Sequence, residues 1–306
     1  MIDITNVVII GLGAIGSIYA MKLSDFDPKR VHILVDSKRL KRYADNGIIF
    51  NGHRHDFHYV LPEPNQVKAD LILVATKSDA LQSAITAISD FMHENTIILS
   101  LLNGITSEKQ IAEVYGWDKV LYASFLGHGS TRVGNSITFD GVGRIVIGEA
   151  NNRIISQRVE AVSRFFDRAK IAYEVPEDML FTLWRKFVLN VGVNQASAVL
   201  RANYGAFQRS EMARDVAVEL MNEALLIARQ VGINNVENIL PWCLEFIRTT
   251  PPEFKSSMLQ DIEARNKTEV DILGGTVCNL GLEYGIATPQ NAAFVKLIKA
   301  LEEIGV

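Results

Sequence analysis

The chain has 306 residues, 48% of them apolar and 22% charged, with a formal net charge of −4 at pH 7. That length suggests about two domains, and the composition is that of a globular protein able to bury a core. A mildly acidic chain offers no electrostatic case for nucleic acid or an anionic membrane as partner, and no apolar stretch is long enough to span a bilayer.

The chain enters a core strand almost at once, with no basic segment or small-residue cleavage site ahead of it, so no signal peptide is expected. The apolar run Val7–Ile10 breaks into Gly11-Leu12-Gly13-Ala14-Ile15-Gly16 and resumes as a helix former over about 14–25. A glycine triplet spaced this way, with a strand before it and a helix after it, is a dinucleotide-binding turn. Gly11 permits the tight turn, Gly13 has no side chain to hold off a pyrophosphate, and Gly16 lets helix and strand lie close. Free amides at the helix start, together with the helix dipole, favour an anion there.

A second strand, Val31–Val35, is closed by Asp36, 20 residues after Gly16. An acid at that place accepts hydrogen bonds from the adenosine ribose and repels a 2′-phosphate, which favours NAD. Ser37, Lys38 and Arg39 follow at the head of a helix over about 37–46. Their hydroxyl and cations suit a 2′-phosphate, or form an ordinary solvated helix start. Asn51-Gly52 divides Ile48–Phe50 from Phe57–Val60 and reads as a small hairpin or turn. His53, His55 and His58 cluster here, but no cysteine or carboxylate pair completes a metal site, so no metal is expected.

The strand Leu71–Ala75 leads into Thr76-Lys77, and Thr96–Leu102 leads into Asn103-Gly104. Lys77, at a strand's carboxyl end, reads equally as a cofactor contact or a surface lysine. Asn103 reads as a turn residue or as a hydrogen-bond partner for substrate or nicotinamide. Helical patterns cover about 79–92 and 107–115, and strand and helix alternate as in a parallel sheet covered by helices. Residues 120–147 are β-like with glycine turns, including His128-Gly129, where His128 reads as structural. A helix over 153–169 and a strand at Ile171–Val175 end this half.

After Pro176 the pattern turns helical, over about 178–200, 210–231, 235–248, 260–284 and 289–304, with Gly205, Gly232 and Gly285 as stops. The expected fold is therefore an α/β doubly wound sheet over residues 1–175 and an all-α domain over 176–306, with a ligand in the cleft between them. In the first long helix, Lys186, Asn190 and Asn194 recur every fourth residue and share one face, drifting about 40° per step. Their neighbours Phe187, Val188, Leu189, Val191 and Val193 are apolar, so the helix is buried and its polar stripe needs partners. The stripe is either an internal polar network or a site wall with a proton-donating lysine and two orienting amides. Trp184, Phe187, Cys243 and Cys278 read as core residues, and two cysteines form no disulfide framework, which fits a reducing, cytoplasmic setting. Downstream, Glu269 lies among apolar residues, and Gly274-Gly275 allows close approach of another backbone. A buried glutamate near Lys186 would keep the lysine charged and placed.

Taken in this order, several motifs resemble the ketopantoate reductase (2-dehydropantoate 2-reductase) family over essentially the whole chain. They are the Gly11–Gly16 turn, Lys77, Asn103-Gly104, Trp184-Arg185-Lys186 with Asn190 and Asn194, Ser257-Met258-Leu259-Gln260-Asp261 and Thr268-Glu269-Val270-Asp271. The resemblance implies a Rossmann domain, a helical domain, and reduction of the 2-oxo group of ketopantoate to pantoate by NADPH, toward pantothenate and coenzyme A. It implies Lys186 as general acid and Glu269 as the carboxylate that positions it and the cofactor. It makes Asn103, Asn190, Asn194 and Ser257 polar contacts to substrate or nicotinamide, and Lys77 a cofactor contact. Tyr204 and Phe254 stand where some members carry asparagine, which leaves room for a more apolar 2-oxo acid, and Asp36 stands where NADPH-using members often place arginine.

The expected partner is a small 2-oxo acid, with NADP or NAD as cofactor. Two further readings stay open: an NAD-dependent D-2-hydroxy acid dehydrogenase on the same scaffold, and a dinucleotide sensor without turnover. Lys186 and Glu269 together argue against the sensor. Apolar faces on the helical domain are compatible with a homodimer.

Overall fold

The computed structural model describes residues 2–64, 66–127, 130–139, 141 and 143–305, so the expectations at His128 and Gly129 lie outside the described residues. The chain divides into two compact units, one of residues 1–102 and 106–179, the other of residues 103–105 and 180–306.

The first unit is built on β1 (Val7–Ile10), β2 (Val31–Leu34), β3 (Ile48–Phe50), β4 (His53–His55), β5 (Tyr59–Val60), β6 (Leu71–Val74), β7 (Ile97–Ser100), β8 (Val120–Leu126), β9 (Ser130–Val133), β10 (Ser136–Phe139), β11 (Arg144–Gly148) and β12 (Tyr173–Glu174). Its helices are α1 (Ala14–Phe26), α2 (Ser37–Asn46), α3 (Leu81–Ala87), α4 (Ser107–Tyr115) and α5 (Gln157–Arg168). The main sheet has the order β12-β11-β8-β7-β6-β1-β2-β5. From β5 to β8 all pairings are parallel, and β11 then joins β8 antiparallel. Chain order reverses between β1 and β6, so the turn after β1 opens at a topological switch point, where open α/β sheets bind ligands.

The strands β1, β2, β6 and β7 are buried at every residue, as expected of a parallel sheet covered on both faces. Alternation sends Val7, Ile9, Ile33, Leu71 and Leu99 into one apolar cluster. Val8, Ile10, Leu34, Ile72 and Ile98 enter a second cluster, as a side-chain period of two dictates. His32 on β2 is the exception: it is buried, and neither ring nitrogen has a hydrogen-bond partner.

The helical unit comprises α6 (Met179–Leu200), α7 (Tyr204–Arg209), α8 (Glu211–Val231), α9 (Ile239–Thr249), α10 (Ser257–Glu263), α11 (Gly274–Tyr284) and α12 (Pro289–Ile304), α6 beginning on the last residue of the first unit. Gly232 and Gly285 close α8 and α11 in the left-handed conformation. Pro289 starts α12, where its missing N–H costs nothing. Trp184, Phe187 and Cys243 are buried in this unit's core.

Four local expectations are corrected. The hairpin after β3 returns as β4, whereas Tyr59–Val60 pairs in parallel with β2, because the Asn51-Gly52 turn leaves only three residues before the chain departs. Gly205 lies inside α7, a six-residue helix capped by Asn203, and ends nothing. The segment 260–284 is not one helix: α10 stops at Glu263, Arg265 turns at φ 55°, and a 3-10 turn at Val270–Ile272 precedes α11. Gly274 is closely approached by side chains, those of Gln195 and Val295, whereas a Cβ on Gly275 would meet the Val270 carbonyl oxygen at an ordinary 3.6 Å, so no backbone makes a close approach that the pair is needed to admit.

Candidate active site

Each unit holds one group of the candidate residues. In the first, Gly11 has φ 99°, and a Cβ there would lie 2.5–2.6 Å from backbone atoms of Ala75 and Thr76. A Cβ on Gly16 would overlap the Gly11 carbonyl oxygen and lie 2.9 Å from the Ala75 Cβ. Gly13 differs: its nearest neighbour would be the Ala75 carbonyl oxygen at 3.7 Å. Two glycines are thus demanded by packing within the unit, whereas the third keeps a space clear. Gly13 is also the N-cap of α1 and brings no side chain to the first-turn amides, which leaves the donors of Ala14, Ile15 and Gly16 for an anion. Leu12, within the turn, is buried, and the Thr76 hydroxyl is buried with no hydrogen-bond partner. This cradle fits a dinucleotide pyrophosphate. Lys77 follows Thr76 as an exposed residue at the head of a 3-10 turn.

Asp36 is more occupied than its place in the sequence suggests. It caps α2, its Oδ1 accepting the Arg39 backbone N–H at 2.6 Å. The Arg39 guanidinium donates to Oδ2 at 2.8 Å, in a pair about half exposed on each side. Arg39 is therefore turned back on Asp36.

In the helical unit, Lys186 and Asn190 are half-buried and Asn194 is 6% exposed, three residues at four-residue spacing along α6. The Asn194 amide donates to the Ser257 hydroxyl at 3.4 Å, which places the exposed first residue of α10 against this face. The neighbouring Ser256 is buried, caps α10 through the Leu259 N–H at 3.1 Å, and hydrogen-bonds the Ser197 hydroxyl. Asn103 donates from Nδ2 to Glu269 Oε2 at 2.9 Å, joining residues 166 positions apart. Gly104, at φ 92°, makes that approach possible: a Cβ there would stand 3.3 Å from the Ile272 carbonyl oxygen. Glu269 is held where the chain is not helical, in the break ahead of the 3-10 turn. The structure therefore joins Asn103 with Glu269, and Asn194 with Ser257. Asp36 is committed to Arg39.

Tyr204 and Phe254 come together as well. The Tyr204 N–H donates to the Phe254 carbonyl at 3.0 Å, and the Tyr204 ring meets Phe246 edge-on at 6.2 Å. Burial pushes the Tyr204 hydroxyl well above the usual phenol range, so it stays protonated.

The sequence description "Ketopantoate reductase PanE/ApbA" matches residues 7–152, and "Ketopantoate reductase PanE/ApbA C terminal" matches residues 178–302. The chain belongs to the ketopantoate reductase family. A 2-dehydropantoate 2-reductase of Pyrococcus horikoshii is 27% identical over 98% of this chain and 98% of its own. The ketopantoate reductase family structure from Ralstonia eutropha JMP134 superposes with a TM-score of 0.82 at 23% identity, over 98% of this chain and 99% of that one. A D-mandelate dehydrogenase solved with NADH and anilino(oxo)acetate gives 0.85 at 21% identity, over 98% and 99%. Family membership makes the chain an oxidoreductase that takes a nicotinamide dinucleotide.

A buried polar network that the sequence of this reductase does not announce begins at Gln195, the residue after Asn194 on α6. Gln195 donates to Asn291 Oδ1 at 2.9 Å, and the Asn291 amide donates to Glu223 Oε2 at 2.7 Å. Glu223, 8% exposed on α8, also accepts the N–H groups of Gln290 at 2.8 Å and Asn291 at 2.9 Å, so it sits at the positive end of α12. A glutamate amid apolar residues in α8 and an asparagine just inside the Pro289 helix start were the available signals. Among the described residues no group of three His, Cys, Asp or Glu could hold a metal ion, and no helix is long and apolar enough to cross a membrane.

Proposed function

We propose that the chain reduces the 2-oxo group of ketopantoate to pantoate, in the supply of pantothenate and coenzyme A. The observation that carries this reading is the Asn103–Glu269 hydrogen bond, which assembles a polar pair in the unit that bears the Lys186–Asn190–Asn194 stripe. On this reading residues 1–175 bind the dinucleotide through Gly11–Gly16, Asp36, Lys77 and Asn103, and residues 176–306 supply the acid and the substrate contacts. The bound dinucleotide supplies a hydride to the carbonyl carbon. Lys186 gives a proton to the carbonyl oxygen, and its positive charge stabilises that oxygen as negative charge builds on it. The substrate loses its C=O π bond and gains one C–H and one O–H bond; the hydride would come from a C–H bond of the dinucleotide, which is oxidised by two electrons, and the proton comes from a Lys186 N–H bond, which leaves a neutral amine. Glu269, oriented by Asn103, keeps the Lys186 amine protonated and in place. Asn190, Asn194 and Ser257 orient the substrate by hydrogen bonds.

The finer cofactor reading is NADH. Asp36 closes β2 with a carboxylate, and Arg39, which a 2′-phosphate would otherwise use, is already paired with it. A cytoplasmic enzyme that acts as a homodimer fits the reading.

The test is a panel of 2-oxo acids with NADH and with NADPH, run on the wild type and on Lys186→Ala. Ketopantoate should be the preferred substrate. Lys186→Ala should lower kcat by about a hundredfold or more, as loss of a general acid does, with dinucleotide affinity changed less than about threefold. Small and equal losses in both would remove Lys186 from its role. Preference for another 2-oxo acid by orders of magnitude would replace ketopantoate as the substrate.

A further inference from the structure

The segment carrying Glu269 is gripped from both sides by one helix. On its N-terminal side, the Thr268 N–H donates to Glu302 Oε1 at 2.7 Å. On its C-terminal side, Lys299 Nζ pairs with Asp271 Oδ1 at 2.6 Å. Lys299 and Glu302 are three residues apart on α12, so they face the same way. Within the segment, the Thr268 hydroxyl accepts the Val270 N–H at 3.2 Å, and the Ile272 N–H donates to the Glu269 carbonyl at 3.2 Å. Glu269 thus lies between two anchored residues, Thr268 and Asp271, just ahead of the 3-10 turn and outside any α-helix.

The other end of α12 is tied to the polar helix. Asn291, fully buried, is bonded both to Glu223 and to Gln195, and Gln195 directly follows Asn194 on α6. From Asn291 to Glu302 the rise along an α-helix is about 16 Å. One rigid rod therefore runs from the helix that carries Lys186 to the break that carries Glu269. Geometry of this kind sets a distance more than it adds stability: the Lys299–Asp271 pair is about half exposed on both sides, and such pairs contribute little to folding.

We propose that Lys299 and Glu302 are positioning residues for the reduction, holding Glu269 at its working distance from α6. This rests on Glu269 acting in the reaction, and the experiment separates the two ideas. Four variants are compared with the wild type in ketopantoate reduction: Lys299→Ala/Glu302→Ala, Lys299→Arg/Glu302→Gln, Glu269→Gln, and Glu269→Gln combined with the double alanine variant. Thermal midpoint and the dinucleotide dissociation constant are read for each. The double alanine variant should lose about tenfold or more in kcat, with the dissociation constant within about twofold and the fold intact. The Arg/Gln variant should recover most of the rate, because Gln still accepts the Thr268 N–H and Arg still pairs with Asp271. Adding the alanines to Glu269→Gln should cause no further loss, since both act through one carboxylate. If Glu269→Gln keeps the wild-type rate, the role of Glu269 falls, and the positioning role with it. If Glu269→Gln is crippled while the double alanine variant is within about twofold of wild type, only the positioning role is overturned. Losses that multiply in the combined variant would also overturn it, as would failure of Arg/Gln to recover the rate.

Discussion

Gly13 and Gly16 lie three residues apart in one motif, yet alanine at each should fail in a different way. At Gly16 the new methyl would overlap the Gly11 carbonyl oxygen and stand 2.9 Å from the Ala75 Cβ. Neither neighbour can swing aside, since one is backbone and the other a methyl fixed to the backbone just past β6. Overpacking of this sort costs up to about 3 kcal/mol, and replacing a helical glycine with alanine returns about 1 kcal/mol. The net loss of about 2 kcal/mol should lower the thermal midpoint by roughly 4–8 °C. At Gly13 the methyl would meet only the Ala75 carbonyl oxygen, at ordinary contact distance, 3.7 Å. The poorer N-cap costs about 0.5–1 kcal/mol, and the stiffer unfolded chain returns about as much. The midpoint of Gly13→Ala should therefore stay within about 2 °C of wild type. The same methyl would occupy the space a pyrophosphate needs, so NADH affinity should fall by at least about tenfold, or about 1.4 kcal/mol. Thermal melts of the ligand-free proteins and fluorescence titrations with NADH give both numbers. A Gly13→Ala midpoint as low as that of Gly16→Ala would refute the division of labour, as would unchanged NADH binding.

Two further outcomes follow from single side chains. Burial, reinforced by the nearby His58, holds the His32 imidazole below its usual range, whereas in the unfolded chain it titrates near about 6.5. Below that pH the unfolded state binds the extra proton, so this part of the stability is complete above about pH 6.5 and is lost as pH falls, by at most about 1.4 kcal/mol per pH unit. His32→Phe should flatten the fall in thermal midpoint between about pH 7 and 5, and an unchanged slope would show that other groups cause it. Asp36→Ala should release Arg39 and raise the NADPH-to-NADH ratio of kcat/KM by about tenfold or more, with about 1 kcal/mol lost at the α2 cap; a ratio that does not move would remove Asp36 as the discriminator.

What could be read from the chain itself was what depends on short-range pattern. The parallel strands show as unbroken apolar runs because both faces are covered, and the glycine turn shows because its three constraints fall within six residues. The α6 stripe shows through its four-residue spacing. Pairings between distant segments left no trace of that kind. Asn103 and Glu269 each stood out alone, but nothing local joins residues 166 apart. Gln195, Asn291 and Glu223 come from three helices, and nothing local to any one segment names its partners in the other two. The break around Glu269 was hidden because apolar spacing continues through residues 260–284, while the interruption is enforced by Arg265 at positive φ and by the grip of α12. Tyr59–Val60 was misassigned because two residues carry too little pattern to reveal their partner strand.

The three residues from Asn103 to Ile105 belong to the helical unit although the chain on either side of them belongs to the first. The helical unit is therefore not a contiguous piece of the gene product. A fragment cut at the Met179–Leu180 junction would lack Ile105, which packs against the helical core, and Asn103, the partner of Glu269. Exchanging or expressing such a fragment calls for the tripeptide to be supplied as well, so any recombination that preserves activity must inherit both breakpoints together.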